Sequence, residues 1–236
     1  MVENNELQKL MLLGAMYVEE NGILQAIHDN VDEDIEIDDL KEILVEGYCA
    51  LNMNMDEVDT DSVKELIEDA WGVTNKFELI ETLDSLLSGH HQNIFDDLIE
   101  KNSKNILNLK DYQKQSSFAH LFKEMEEEEF HAMVTNSLAS HKLLNSDGLI
   151  GWDWARYVHL LRLGHLAGYM NETESFKFLK KLERPVKERF KNWISFSNSF
   201  ENGRLFWSGN DEAMAEAIAN LKEDSWSPWK ILGWFE

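Results

Sequence analysis

Three stretches of the chain bring together side chains that could do chemistry. The richest is Gly151-Trp152-Asp153, followed by Arg156, Arg162 and His165. On a helix of 3.6 residues per turn, Asp153 and Arg156 share a face and can pair directly. Arg156 and Arg162 point about 120° apart and address different neighbours. Two readings stay open. In one, Asp153 and the arginines tie adjacent helices together in a tryptophan-rich core, since a guanidinium stacks on indole while its donors satisfy nearby carbonyls. In the other, the arginines hold a small anion.

The second stretch is Gly89-His90-His91. Glycine is an ordinary helix stop, and a histidine at a helix C-terminus interacts favourably with the dipole, so the triplet is expected to close one helix before the next begins. A metal or general-base role would require partners from distant segments. The third stretch, Glu128 and His131, makes one E-x-x-H step of the di-iron kind. No other histidine has a glutamate three residues before it, so that site is incomplete. The acidic run from Asp29 to Glu36 offers oxygen ligands. Counted from Asp32, however, the sixth and twelfth positions are Ile37 and Ile43, where a calcium loop needs glycine and glutamate. HExxH, GxSxG, P-loop and GxGxxG patterns are absent. The sequence therefore assigns no catalytic residue, metal or cofactor.

The elements that would position these groups read as helices. Leu, Glu, Lys, Ala and Met recur at spacings of three and four, strand-forming runs are scarce, and the 236 residues contain two prolines. The expected fold is all-α, a single irregular multi-helix domain with an acidic helical region over 1–58 and a core over 59–236. Helices are expected from Glu6 to Glu20 and from Asp38 to Leu51. Ser62 with Glu65 reads as a capping box opening a helix to Trp71, and Asn75 with Glu78 repeats the signal before the Leu79–Leu87 stripe. Further helices are expected over His91–Lys101, Phe118–Leu144, Trp152–Met170, from Asn171 with its Glu174 box to Pro185, over Val186–Phe200, and from Asp211 to Leu221. Residues 102–117 read as irregular, and Asn145 to Gly148 as a turn.

Charge is unevenly spread. Residues 1–100 hold 26 acidic and 4 basic side chains, a net of −22, within a total of −23. Such a field repels nucleic acid and anionic membranes and attracts basic proteins. The surface expected to meet a basic partner comprises Asp32, Glu33, Asp34, Glu36, Asp38, Asp39, Asp56, Glu57 and Asp59. The plainer reading is a solvated helical face. Lysines and arginines gather over 177–191 and are a second candidate to meet the acidic half within the molecule. The lone Cys49 excludes an internal disulfide. The apolar stretch from Met11 to Val18 follows Glu3 and Glu6, unlike a secretory signal, and no run approaches the roughly 20 apolar residues of a membrane helix. The expectation is a cytoplasmic protein of open oligomeric state.

Two segments carry a family resemblance. One is Trp71-Gly72-Val73-Thr74 with Leu79, Leu83, Leu86 and Gly89-His90. The other is Gly151-Trp152-Asp153 with Arg156, Arg162, Gly164, Gly168-Tyr169, Glu174, Phe190, Trp193 and Gly203-Arg204. Together they resemble the bacterial family catalogued as domain of unknown function 1266, over about residues 60–236. The resemblance implies a helical domain and brings no activity. It groups His90, Asp153, Arg156, Arg162 and Arg204 as a polar cluster, with His91 standing where a basic residue is common. Two functions are then expected to compete. The first is a non-enzymatic binding protein, most concretely an immunity protein that neutralises a basic toxin. The second is an enzyme that acts on a small anionic substrate through His90, His91, Asp153, Arg156 and Arg162. Convergence of these groups on an open pocket would favour the second, and their burial among tryptophans would favour scaffolding.

Overall fold

A helix with large apolar side chains around most of its circumference has little face to give to water and must lie centrally. The segment Ile150–Leu166 is such a helix: Trp152, Trp154, Ala155, Tyr157, Val158, Leu160, Leu161 and Leu163 are all buried. The computed structural model describes residues 5–52, 59–104, 108–143, 148–209 and 211–235, and among them the chain is all-α with no strand.

The helices are α1 (Asn5–Met11), α2 (Ala15–Glu19), α3 (Ile23–Asn30), α4 (Ile37–Cys49), α5 (Thr60–Trp71), α6 (Lys76–Leu87), α7 (His90–Ser103), α8 (Leu109–Gln115) and α9 (Glu127–Leu143). After them come α10 (Ile150–Leu166), α11 (Glu172–Leu179), α12 (Glu183–Arg189), α13 (Trp193–Trp207), α14 (Glu212–Glu223) and α15 (Pro228–Ile231). Helix α10 packs most extensively on α13, then on α6, and also meets α5, α7 and α11. The main core runs from Leu7 to Phe235, so the first helices share it with the last. A smaller cluster around Phe95, Tyr112, Phe122, Phe130 and Phe206 joins α7, α8 and α9 to the end of α13.

Where a side-chain cap exists, it sets the helix start. Asn75 accepts from the amides of Phe77 and Glu78, Asn171 and Glu174 form a reciprocal box, and Asp211 accepts from Met214, all as the sequence predicts. Five expectations are corrected. Helix α5 starts three residues early, because Asp59 caps it and Ser62 merely donates to that carboxylate. Within the stretch read as irregular, Asn108 accepts from Asp111 and opens α8. A 3-10 turn at Ala119–Phe122 takes the place of the first residues expected in α9. Asn192, boxed with Ser195, splits the expected Val186–Phe200 helix into α12 and α13. The expected turn at 145–148 lies outside the described residues except for Gly148. The first expected helix is broken by a 3-10 turn at Leu12–Gly14. No helix among the described residues is long and apolar enough to cross a membrane.

Candidate functional site

The elbow between α6 and α7 turns on Gly89, whose φ of +77° favours glycine, and α7 begins at His90. The two histidines therefore sit at a helix N-terminus. The expected interaction with the C-terminal dipole is corrected, and the local backbone field favours an anion here. Gly89 has no side chain with which to cap the free amides. Asp153, fully buried on α10, supplies the acceptor. Its two oxygens lie 3.1 Å from the His91 amide, one of them 3.1 Å from the Gln92 amide, and the other 2.5 Å from His91 Nδ1.

This arrangement fixes the state of His91. On the other side of the ring, Arg156 Nη1 lies 2.9 Å from Nε2. A guanidinium can only donate, so Nε2 accepts and the ring hydrogen resides on Nδ1, which donates to Asp153. His91 is thus a neutral imidazole held at both ends. Burial pushes its pKa below the usual value, Asp153 opposes this, and Arg156 reinforces it. The direct Asp153–Arg156 pair expected from their spacing is corrected: the carboxylate turns to α7, and His91 stands between the two. Burial and neighbouring His91 also lower His90, whose Nδ1 lies 3.2 Å from the Ser85 hydroxyl oxygen.

Arg156 lies over the Trp71 ring at 4.1 Å and near Trp152 at 5.3 Å. It makes no ion pair among the described residues. Its guanidinium, both histidines, Trp71 and Trp207 line an open pocket of about 450 Å³, closed on the α6 side by Glu81, Thr82 and Ser85. Trp207 meets His91 edge-on at 4.5 Å and remains 38% exposed. The arrangement offers a charged donor, a neutral imidazole with an acceptor nitrogen, hydroxyl groups and indole walls around a space large enough for a small molecule.

The pocket therefore unites His90, His91 and Arg156, with Asp153 behind them. Arg162 lies elsewhere. It is fully buried and donates through Nη2 to the carbonyls of Met11, at 3.1 Å, and Tyr48, while its Nε and Nη1 find no partner among the described residues. It joins α10 to α1 and α4, and burial lowers its pKa to about 10. Arg204 pairs with Asp211 beside a separate cavity of about 110 Å³. His131 approaches Glu127 at 3.4 Å in preference to Glu128, and all three are exposed.

The acidic residues Asp32, Glu33, Asp34, Glu36, Asp38 and Asp39 are all exposed, and the ion pair seen within this set joins Asp38 to Lys41 at 2.9 Å. Exposed Asp59 caps α5, and Asp56 and Glu57 lie outside the described residues. Among the described residues, the basic 177–191 segment pairs with the first hundred residues at two points, Lys187 with Glu6 at 2.5 Å and Lys181 with Asp84 at 2.9 Å. Sequence reasoning missed Glu81, Thr82, Ser85 and Trp207. A stripe at 81 and 85 on α6 was the available signal for two of them, and Trp207 gave none.

Another histidine, this one on α10, predicts an acid sensitivity. His159 stacks on Tyr17 at 4.4 Å, and its Nδ1 is buried without a partner among the described residues. Burial, then Arg162 and Arg156, push its pKa down to about 4. The unfolded chain takes up this proton more readily, so the contribution is complete above about pH 6.5 and is lost as pH falls toward the folded value. The ring keeps some solvent contact, and the expected loss at pH 5 is about 1–2 kcal/mol. His159→Phe keeps the stack and should flatten denaturant-derived stability between pH 7 and 5. Parallel curves for the two proteins would refute the assignment.

A family model described as "Protein of unknown function (DUF1266)" matches residues 66–234. The chain is also similar to the uncharacterized protein YbeU of Escherichia coli (strain K12), with 22% identity over 179 residues, covering 69% of this chain and 68% of that protein. No solved structure matches. All the pocket residues lie within 66–234, and the acidic 32–39 segment lies before it.

Proposed function

The chain belongs to the DUF1266 family, whose description names no activity, and from the geometry we propose that it binds a small anionic ligand in the pocket between α5, α6, α7 and α10. The observation that carries this reading is Arg156: a guanidinium held between two indoles, with no ion pair among the described residues, facing an open space. A largely buried cation is costly without a counter-ion in contact, and an anion would supply one beyond the neutral His91 acceptor. The net charge of −23 opposes entry of an anion. At physiological salt, though, surface charges act over about 8 Å, so the nearby charges, Arg156 and Glu81 on the wall and Asp153 behind His91, set the local field. Glu81 disfavours a ligand long enough to carry negative charge from Arg156 across to α6.

Sulfate is a suitable probe, followed through the indole N–H signals of Trp71 and Trp207. Arg156→Gln is expected to weaken binding by more than about tenfold, the loss typical of a charge-assisted contact. Arg156→Lys should fall between, because an ammonium cannot donate as a planar fork. Equal responses in wild type and Arg156→Gln, or none in either, would remove the reading.

The exposed carboxylates from Asp32 to Asp39 support a second reading, in which this surface docks a basic protein such as a toxin that the chain neutralises. A cytoplasmic location suits both. Capture of a basic partner at low salt that survives Arg156→Gln and is lost on reversing Asp32, Glu33 and Asp34 would favour the docking role.

A further inference from the structure

The His91 ring is fixed on three sides. Asp153 holds Nδ1 at 2.5 Å, the His91 amide is bound to the same carboxylate, and Trp207 packs edge-on at 4.5 Å. Arg156 is held by the two indoles and by Nε2, with no ion pair among the described residues. Its side chain is long, and a guanidinium can slide along an indole face without losing its stacking. An anion in the pocket would compete with Nε2 for the guanidinium donors, and a charged acceptor forms the stronger hydrogen bond. Resting on the anion reading above, we propose that His91 is the proton-accepting group of this pocket and that Arg156 withholds its Nε2 until an anionic ligand draws the guanidinium away.

The geometry prepares the ring for that role. Since Nδ1 carries the hydrogen, the lone pair is on Nε2, toward Arg156 and the pocket. Protonation there would break an O–H or C–H bond of the ligand, leave the electron pair on the ligand and form an N–H bond at Nε2. The resulting imidazolium would lie against Asp153, a carboxylate kept as an acceptor by the α7 amides. The charges facing His91 are Asp153 and Arg156 from α10, His90 beside it on α7, and Glu81 across the pocket from α6. Trp207 from α13 carries none, and His120 acts on His90. With Arg156 close, a proton on Nε2 is disfavoured. With Arg156 neutralised by an anion, burial still opposes the proton, but Asp153 meets one opposing influence fewer and the proton is less disfavoured.

The test is nitrogen-detected NMR of the His91 ring in the full chain, titrated over pH with and without sulfate, whose charge is constant across the range. The expected result is a neutral ring protonated at Nδ1 without sulfate. With sulfate the midpoint should rise by about one pH unit, with the new proton on Nε2. Arg156→Gln should show the raised midpoint from the start and no response to sulfate. If sulfate shifts the Trp71 and Trp207 indoles but leaves His91 unmoved, the exchange is wrong and the anion site stands. If sulfate moves neither, both fall. A ring with its hydrogen on Nε2 at neutral pH would overturn the inference directly.

Discussion

Asp153→Ala should destabilise the fold by about 3–5 kcal/mol, read as a shift of the denaturant midpoint in far-UV circular dichroism. Losing a helix cap alone costs about 1 kcal/mol. The larger figure follows because the carboxylate is fully buried and has several dependants. Its removal strands the amides of His91 and Gln92 and the His91 Nδ1–H, and takes away the negative charge nearest Arg156. Asp153→Asn separates shape from charge. It fills the same space but brings a donor into a set of donors, so part of the loss should persist, while Arg156, still donating to Nε2, keeps the His91 hydrogen on Nδ1. If Asp153→Ala were within about 1 kcal/mol of wild type, those donors would have another acceptor and the elbow would be held differently.

How much of this was legible in the sequence follows from the range of the interactions. Caps are local, and Asn75, Asn171 and Asp211 were each readable from a polar residue followed by acidic and apolar residues. Local reading failed where two signals competed within a few residues. Ser62 with Glu65 imitated a box although Asp59 had already opened the helix, and Asn192 cut a run whose apolar spacing continued across it. That Arg156 and Arg162 diverge was readable from 3.6-residue geometry, and they do: one faces a pocket, the other the carbonyls of Met11 and Tyr48. The partner of Asp153 was not readable. His91 is 62 positions away, and helical spacing pointed to Arg156, three residues on. Gly89 signals a break without saying which helix the following histidines join. That choice reversed the sign of the dipole they meet.

The pocket and the acidic surface are carried by separate parts of the chain, so their roles can be dissected separately. Pocket residues come from α5, α6, α7, α10 and α13. The exposed Asp32–Asp39 carboxylates lie on the α3–α4 connection and the first turn of α4, where Asp38 and Asp39 also suit the helix dipole. Core packing couples the two halves mechanically, through Arg162 and through Glu19, whose buried carboxylate accepts from Tyr48, Leu24 and Asn220. None of these ties enters the pocket.

The α10–α13 contact gives the last prediction, one in which two effects of opposite sign compete. Replacing a helix-interior glycine by alanine ordinarily stabilises by about 1 kcal/mol through backbone entropy. At Gly203 on α13, a Cβ would lie 2.2 Å from Trp152 Cβ and 2.7 Å from Trp152 Cγ on α10. The Trp152 Cβ is fixed by its backbone, so no rotamer change moves it clear, and the two helices must separate. Gly151 faces the same seam from the other side, with the Phe196 carbonyl 2.8 Å from its would-be Cβ, so the helices have no slack to share. Trp152 also lies beside Arg156, and displacing it disturbs the wall of the pocket. Overpacking of this kind costs about 3 kcal/mol, enough to reverse the helical gain. Gly203→Ala should therefore lower stability by about 2 kcal/mol and weaken sulfate binding with it. Gly47→Ala on α4 provides the comparison: its Cβ would make an ordinary 3.4 Å contact with Ile23, so it should be neutral or stabilising. A Gly203→Ala protein as stable as Gly47→Ala would mean that α10 and α13 are not packed at the distance on which the placement of Asp153 and Arg156 depends.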